Sequence, residues 1–423
     1  MKRIFLVIAI VCIGMITQAQ DSKKIMLPTG WALSPAGKSL ALGDLPLNMA
    51  VSKSKKLMAI TNNGQSTQSI QLINLVSNTI LDNIKIDKSW LGIAFSADEK
   101  TLYASGGNDN WILKYSIINN KLKLTDSIKL GEKWPNKISP AGICINDAKN
   151  ILYVVTKDDN SLYEVNLVSK KIMNKTALPA EAYTCVLSND NSELYISVWG
   201  AEKLLVYNTL SQKITSSIAT GTHPNDLILS KNGKTIYVAN GEDNSVSVID
   251  IKNRKVLETL NCALYPNALA GSTTNGVALS TDEKTLYIAN ADNNCLAVFD
   301  VSAVGNSKSK GFIPVGWYPT SVKVVGSKIY VTNGKGFTSF ANPLGPDPYN
   351  KNAQMAVQKG LLKNTKEVQY IGGLMKGTLS IINTPSEKQL GLYSAAVYEN
   401  TPYTKNNEEK SNAEIGSVIP QKV

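Results

Sequence analysis

The sequence predicts an all-β fold, a seven-bladed β-propeller of four-stranded antiparallel blades. A short phrase recurs seven times, and neighbouring copies lie 42 to 50 residues apart. Each copy stands among short alternating apolar runs separated by turn residues, as antiparallel hairpins require. A period of roughly 40 to 50 residues built from short strands is typical of propellers. The copies are centred on Met58, Tyr103, Tyr153, Tyr195, Tyr237, Tyr287 and Tyr330.

Each repeat divides into four strands, which we name A to D in chain order. In the fifth repeat they are predicted at residues 226–230, 235–239, 245–249 and 255–260, with Asn232-Gly233 as the first turn. The pattern of the first three strands is present in all seven repeats. Asp-Asn pairs such as Asp243-Asn244 recur where a hairpin needs residues that cap their own turn, so we interpret them as structural.

The two ends of the chain differ from the repeats. Lys2 and Arg3 precede an apolar run over residues 4–16, and Ala19 offers a small residue for cleavage. Residues 1–19 are therefore predicted to be a secretory signal peptide. We expect an exported protein, periplasmic or extracellular, with no membrane span once the signal is removed. Residues 20–42 form an N-terminal segment, residues 43–395 the propeller, and residues 396–423 a polar linker or tail.

Closure of the ring leaves two alternatives at this stage. Residues 388–393 fit the fourth strand of the last blade, or residues 30–35 cross over and supply it. The same blade contains an insertion at residues 334–376, where its B–C turn is expected. An insertion of this length is usually functional or disordered. Its aromatic residues and prolines favour an ordered lid, with Phe337, Phe340 and Tyr349 as candidates.

The composition narrows the range of partners and chemistry. The formal net charge is +11, but Arg3 and Arg254 are the only arginines. Nucleic-acid recognition relies on arginine forks, so no nucleic-acid partner is expected. His223 is the only histidine, which argues against a haem or copper centre. We predict no cofactor, no metal site and no catalytic residue in this chain.

The cysteines indicate no metal motif, since the sequence contains no C-x-x-C. Cys144 and Cys185 occupy equivalent strands of neighbouring repeats with different parity. Their side chains should point to opposite sheet faces, so we expect them not to pair. Cys262 and Cys295 flank one repeat. They could form a disulfide bond or stay as buried thiols, because spacing alone does not determine Cα geometry.

The residues before each strand A are the best candidates for binding. In a propeller the D–A and B–C loops emerge on one face, so these residues should surround the mouth of the central channel. They make a mixed aromatic and polar rim that suits a sugar, a peptide end or another small polar ligand. The alternative is that they only shape the turns. The candidates are Trp90, Tyr183, His223, Asn225, Asp226, Asn275, Trp317 and Tyr318.

The repeats resemble a known family. Tyr237-Val-Ala-Asn240, Tyr287-Ile-Ala-Asn290 and Tyr330-Val-Thr-Asn333 are similar to the YVTN family of β-propeller repeats. This resemblance covers about residues 43–383 and implies a fold without a function.

Three further segments, Leu27-Pro-Thr-Gly-Trp31, Asn342-Pro-Leu-Gly-Pro346 and Glu399-Asn-Thr-Pro-Tyr403, resemble the propeller half of certain exported proteins. In those proteins the propeller precedes an alkaline-phosphatase-type phosphoesterase domain. Such metal hydrolases need several histidine and aspartate ligands. We therefore expect the phosphoesterase half to be absent from this polypeptide.

These observations support two functional hypotheses. The first is a non-catalytic binding or scaffold module, which docks a phosphoesterase-like partner domain or holds a small polar or glycan ligand at the channel mouth. The alternative is a lactonase-like hydrolase, because some seven-bladed propellers hydrolyse lactones at a metal held in the central channel. That alternative needs channel-facing carboxylates from several blades. Asp226 is well placed, and Asp44 and Glu181 are further possibilities.

Overall fold

The computed structural model describes residues 24–266, 268–342, 345 and 370–403. The predicted signal peptide at residues 1–19, the lid candidate Tyr349 and residues 404–423 lie outside this range. Seven four-stranded antiparallel sheets follow one another along the chain. The strand A of each blade contacts the strand A of the next, and the contacts run all the way round to the first blade. The predicted seven-bladed propeller is confirmed.

Three short strands precede the first blade: β1 (Ile25–Met26), β2 (Ala32–Leu33) and β3 (Lys38–Ala41). Blades 1 to 3 consist of β4 (Pro46–Val51), β5 (Leu57–Asn62), β6 (Ser69–Asn74) and β7 (Thr79–Lys85); β8 (Ile93–Phe95), β9 (Thr101–Ser105), β10 (Trp111–Ile118) and β11 (Lys121–Lys129); and β12 (Pro140–Asn146), β13 (Ile151–Thr156), β14 (Ser161–Asn166) and β15 (Ile172–Ala177).

Blades 4 to 6 consist of β16 (Thr184–Leu187), β17 (Glu193–Val198), β18 (Lys203–Asn208) and β19 (Lys213–Ala219); β20 (Pro224–Leu229), β21 (Thr235–Asn240), β22 (Ser245–Asp250) and β23 (Lys255–Asn261); and β24 (Thr274–Leu279), β25 (Thr285–Asn290), β26 (Cys295–Asp300) and β27 (Lys308–Pro314). Blade 7 contains β28 (Trp317–Val325), β29 (Lys328–Gly336) and β30 (Thr378–Asn383). Single 3₁₀ turns lie at Gly107–Asp109, Asp147–Lys149, Trp199–Ala201 and Ile371–Gly373.

The repeated tyrosine explains why the blades stack. It lies on strand B of its blade and is buried, with Tyr153 fully enclosed and Tyr237 only 3% exposed. The apolar side chains around it form clusters between neighbouring blades, such as the cluster of Tyr195 with Leu227 and Ile236. Burial of large aromatic and aliphatic side chains between sheets is the main stabilising term of such a fold. The repeat therefore specifies architecture.

The ring is closed by the N-terminal segment. Strand β3 pairs with β30 as the fourth strand of blade 7, in a register that places Leu40 opposite Leu379. Residues 30–35 precede this strand and do not themselves pair with blade 7. Ala32 and Leu33 form β2, which pairs with β1 in a small hairpin. Such a closure joins the first and last blades and leaves no open edge between them.

The alternative closing segment, residues 388–393, is helical. These residues belong to α1 (Glu387–Asn400), so the proposal that they form a strand is wrong, and the predicted tail at residue 396 begins inside the helix. Ser386 caps α1 by accepting a hydrogen bond from the Gln389 backbone N–H. The helix packs on β27 and buries Leu390 and Val397. In the described part of the chain, no helix has the length and apolar character needed to span a bilayer.

Cys144 and Cys185 are free thiols, in agreement with the expectation that they do not pair, but the inference that parity keeps them apart is wrong. Their sulfurs lie 3.6 Å apart, in the innermost strands of blades 3 and 4. The two side chains do belong to opposite faces of equivalent sheets. Because consecutive blades stack face to face, opposite faces of neighbouring sheets meet, so a difference in parity brings the two residues together.

The insertion in blade 7 begins after β29, so residues 334–336 belong to the strand. Phe337 is partly buried against the apolar cluster of blades 5 and 6. Phe340 is 50% exposed. The rest of the predicted lid lies mostly outside the described residues, and the lid stays a prediction.

Candidate functional site at the channel mouth

The strand registers define one position at the start of each strand A, represented by Asn225 in blade 5. Asn225 lies two residues before Leu227, and Leu227 pairs with Val238 at the centre of strand B. The equivalent pairs in the other blades follow from the same register. From blade 1 to blade 7 this position holds Asn48, Leu91, Ala141, Tyr183, Asn225, Asn275 and Thr320.

Most polar residues at this position hold neighbouring blades together. The side-chain Nδ2 of Asn48 donates to Leu91 O at 2.8 Å, and that of Asn225 to Thr274 O at 2.9 Å. Asn275 donates to Pro319 O at 3.4 Å. In each case the acceptor belongs to the next blade. Asn225 and Asn275 thus fit the alternative that rim residues shape the ring, since their amide donors are already used.

The next position along strand A is crowded because neighbouring inner strands converge there. A Cβ on Gly92 would lie 2.1 Å from Ala141 O, and one on Gly142 2.4 Å from the Thr184 Cα. Real Cβ atoms do not approach backbone so closely, so blades 2 and 3 need glycine. Blade 5 places Asp226 at this position instead.

Asp226 extends across blade 6 towards blade 7. Its Oδ2 accepts a hydrogen bond from the Val277 backbone N–H at 3.1 Å. The same oxygen lies 3.8 Å from Nζ of Lys323 in β28. Blade 6 carries Gly276 between them, and a Cβ there would lie 3.5 Å from the carboxylate oxygen. The ion pair therefore links blades 5 and 7 across blade 6. The tightest contact of a Cβ on Gly276 would be with the Ser321 backbone, whose Cα would lie 3.1 Å away.

Tyr183 lies near Asp226, and Tyr318 lies near Tyr183. Burial raises the pKa of Tyr183, and the Asp226 carboxylate and Tyr318 contribute to the same shift. Burial also raises the pKa of Tyr318, and a hydrogen bond with the Asn275 side chain partly offsets this rise. Both phenols are therefore neutral donors at physiological pH. The Tyr183 side chain is nevertheless partly exposed to solvent.

His223 lies apart from this cluster. Its ring packs on Trp199, with centroids 4.0 Å apart, and its Nδ1 lies 3.2 Å from Oε2 of Glu242. Both neighbours belong to B–C loops, so the carboxylate beside the histidine is Glu242 and not Asp226. His223 and Tyr318 both adopt positive φ at the same repeat position, as Ser139 does. The left-handed turn is therefore a feature of the repeat.

The two tryptophans of the predicted rim occupy different sites. Trp90 is 36% exposed, and Nζ of Lys157 from blade 3 lies 6.0 Å from its ring centroid. Trp317 is buried at 8% exposure. Nζ of Lys335 lies 5.5 Å from its ring and 4.3 Å from that of Tyr318. These contacts are cation–π interactions. Trp317 therefore belongs to the core, as its burial shows, and Lys335 lies beside Tyr318.

The arrangement does not fit a divalent metal ion. Hard cations in proteins are held by several oxygen ligands, usually with more than one carboxylate. Asp226 is already paired with Lys323. Asp44 accepts hydrogen bonds from the backbone N–H groups of Ser66 and Thr67. Across the described ranges, no three His, Cys, Asp or Glu side chains come together as ligands.

A cavity of ≈ 300 Å³ opens elsewhere, between the outer strands of blades 1 and 2. It is lined by apolar residues of β10 and β11 and by lysines such as Lys133. The Trp111 indole N–H is buried there without a hydrogen-bond partner among the described residues. Lys133 forms an ion pair with Asp109 at 3.2 Å. No sequence pattern indicates this cavity, because its walls come from two different repeats.

The protein is a seven-bladed β-propeller with an ion pair between Asp226 and Lys323 on its inner strands. A family model described as "Lactonase, 7-bladed beta-propeller" matches residues 181–335. This range covers blades 4 to 6 and the first two strands of blade 7, and it includes Tyr183, Asp226 and Lys323. The chain matches no curated protein.

A solved structure with the same fold is Kuenenia stuttgartiensis hydrazine synthase. It is similar over 69% of this chain and 93% of that chain, with a TM-score of 0.58 and 16% sequence identity. At this identity the similarity shows the propeller fold alone. The resemblances to YVTN repeats and to a phosphoesterase-associated propeller stay predictions.

Lys323 and Lys335 are the residues that sequence reasoning missed. Both lie inside strands of blade 7, away from the loops that precede each strand A. A lysine within a strand otherwise made of apolar and small residues, as in Ser321-Val-Lys-Val-Val325, is the signal that could have identified the first of them.

Proposed function

We propose that the protein is a binding module that holds a small polar ligand at the mouth of its central channel. One observation supports this proposal above the others. Polar groups of blades 4, 5 and 7 lie near one another. Asp226 of blade 5 forms an ion pair with Lys323 of blade 7, and Tyr183 of blade 4 is close enough to Asp226 and to Tyr318 of blade 7 for both to contribute to its pKa shift.

The chemistry of this cluster suits a ligand with several hydroxyl or carbonyl groups. The Asp226 carboxylate accepts hydrogen bonds, the Lys323 ammonium donates them, and the neutral phenols do either. Aromatic rings offer apolar faces to a sugar or a short acyl chain. Such a site recognises its ligand by a few placed polar groups without transforming it.

Thermal-shift titration with glucose, gluconate and glucono-δ-lactone tests the proposal. A ligand that binds only the folded protein raises the unfolding midpoint in a saturable manner. We expect at least one of these compounds to do so. Asp226→Asn should weaken that binding about tenfold or more, since it removes a charge and is otherwise isosteric. Tyr265→Phe, whose ring packs on Tyr398 of α1, is the control and should bind normally. Absence of any saturable shift would contradict the proposal.

A lactonase-like hydrolase is the second candidate, and the family match to residues 181–335 is the observation that favours it. Against it stands the donor set, which provides one carboxylate already paired with a lysine. Incubation with glucono-δ-lactone, with and without added calcium, distinguishes the two functions. Binding without turnover supports the binding module. Calcium-dependent hydrolysis that Asp226→Asn abolishes would replace it with the hydrolase.

Two further parts of the functional hypothesis rest on sequence alone. Export of the protein follows from the predicted signal peptide. Docking of a phosphoesterase-like partner domain follows from the resemblance of three segments. Both are proposals, and both are compatible with a ligand at the channel mouth.

A further inference from the structure

The contact between Cys144 and Cys185 is the strongest unexplained feature of the inner strands. Cys144 lies on β12 opposite Tyr153, and Cys185 lies on β16 opposite Ile196. Their sulfurs are 3.6 Å apart. The two strands are also joined by a hydrogen bond from the Gly142 backbone N–H to Tyr183 O at 2.9 Å. The backbones on which the two thiols are carried are therefore already tied together.

We propose that Cys144 and Cys185 are a modification site, a dithiol pair that a disulfide-carrying oxidant converts into a covalent link between blades 3 and 4. A disulfide bond requires the sulfurs to be about 2.05 Å apart. The two sulfurs must therefore approach by about 1.5 Å, which is within reach of side-chain rotation.

The reaction is a thiol–disulfide exchange in two steps. Cys144 is partly exposed and Cys185 is buried, so Cys144 reacts first. Its thiolate attacks one sulfur of the oxidant, forms a mixed disulfide, and releases the other sulfur as a thiolate. The Cys185 thiolate then attacks the Cys144 sulfur and releases the second thiolate. The chain loses two protons and two electrons, and the oxidant is reduced to two thiols.

The folded environment controls the rate of this exchange. Burial raises the pKa of the Cys144 thiol, and its neighbour Cys185 adds to the shift. The thiolate is the attacking species. The fraction of thiolate grows as the pH rises, so oxidation of the folded protein should be slow at neutral pH and accelerate in alkali.

The other two cysteines supply an internal control. Cys262 and Cys295 are both completely buried. The Cys262 sulfur lies 3.5 Å from Leu260 O, and within the described residues no sulfur–sulfur contact links it to Cys295. The same oxidant should therefore leave this pair as thiols.

Oxidation with glutathione disulfide tests the proposal on the full chain. The reduced protein is incubated with the oxidant, unfolded in an alkylating reagent and digested. Of the four thiols of Cys144, Cys185, Cys262 and Cys295, we expect two to become unavailable to the alkylating reagent. One cross-linked peptide should join Cys144 to Cys185. A reducing agent should reverse both changes, and oxidation should raise the thermal unfolding midpoint, because the link restricts the unfolded chain.

Two variants make the result decisive. Cys185→Ser should stop the reaction at a glutathione adduct on Cys144. Cys262→Ser should still form the cross-link. Full alkylation of all four thiols after prolonged oxidation at pH 9 would overturn the proposal, as would a cross-link between Cys262 and Cys295 alone.

Discussion

The channel mouth has two sectors that share a backbone but differ in side chains. At the first two positions of strand A, blades 1 to 3 carry Asn48 and Met49, Leu91 and Gly92, and Ala141 and Gly142. Blades 4 to 7 carry Tyr183 and Thr184, Asn225 and Asp226, Asn275 and Gly276, and Thr320 and Ser321. Polar groups that can face a ligand are concentrated in the second sector.

The difference shows that residue type alone does not distinguish residues that can bind a ligand from residues that hold the blades together. Asn225 and Asp226 are neighbours and both polar. The amide of Asn225 is bonded to the Thr274 carbonyl of the next blade. The carboxylate of Asp226 reaches past a glycine to Lys323, two blades away. On strand A of blade 5, closing the ring and holding a ligand are therefore assigned to two adjacent residues.

The largest effect is expected from the crowded glycine of the first sector. Gly142→Val would force a branched side chain against Thr184, whose Cα would lie 2.4 Å from the added Cβ. Overpacking costs about 1–3 kcal/mol and occasionally more, and we expect the upper end here because the backbone must move. Urea denaturation should show a lower free energy of unfolding. A variant as stable as the original would refute the account of why the inner strands need glycine.

Gly391→Ala is the control for that substitution. Gly391 lies within α1, and no atom lies within 4 Å of an added Cβ. Alanine is favoured over glycine in a helix interior by about 1 kcal/mol. The same denaturation experiment should therefore show increased stability, which separates the steric effect from a general effect of replacing glycine.

A pair of variants separates the two tasks at the mouth. Asn225→Ala leaves the Thr274 carbonyl buried without its donor and should destabilise the fold by about 1–3 kcal/mol. Tyr183→Phe removes a hydroxyl that donates no hydrogen bond to any other described residue. It should leave stability nearly unchanged and weaken binding of a polar ligand. Chemical denaturation and ligand titration of both variants measure the contrast; equal losses of stability would contradict it.

Much of the fold was predictable because the propeller repeats its own signals. The tyrosine of strand B and the Asp-Asn turns recur at similar positions of several repeats, and each copy supports the others. Closure was less predictable. Strand β3 is four residues long and largely exposed, so it has no strong apolar pattern. The segment at residues 388–393 has apolar residues, but Ser386 caps a helix there.

The candidate site was predicted only in part, for a geometric reason. Tyr183, Asp226, Asn275 and Tyr318 were predictable because loops before strand A converge at the channel. Lys323 was missed because it lies inside a strand, and its partner Asp226 is 97 positions earlier in the chain. The Cys144–Cys185 contact was misjudged because opposite faces of neighbouring blades meet, so residues of different parity come together.

The smallest expected effect is the pH dependence of stability that a buried tyrosine of strand B contributes. Burial raises the pKa of Tyr237 from 10.0 to about 12. Between these values the unfolded chain loses the phenol proton while the folded chain keeps it. Stability that is complete below pH 10 is therefore lost as pH rises towards 12.

Thermal unfolding measured from pH 8 to pH 11 should show this decline. Tyr237→Phe removes one such group, so its midpoint should fall less steeply with pH than that of the original chain. If Tyr237→Phe and the original protein decline in parallel, the buried strand-B tyrosine does not titrate out of step with the unfolded chain, and its contribution to the blades is packing alone.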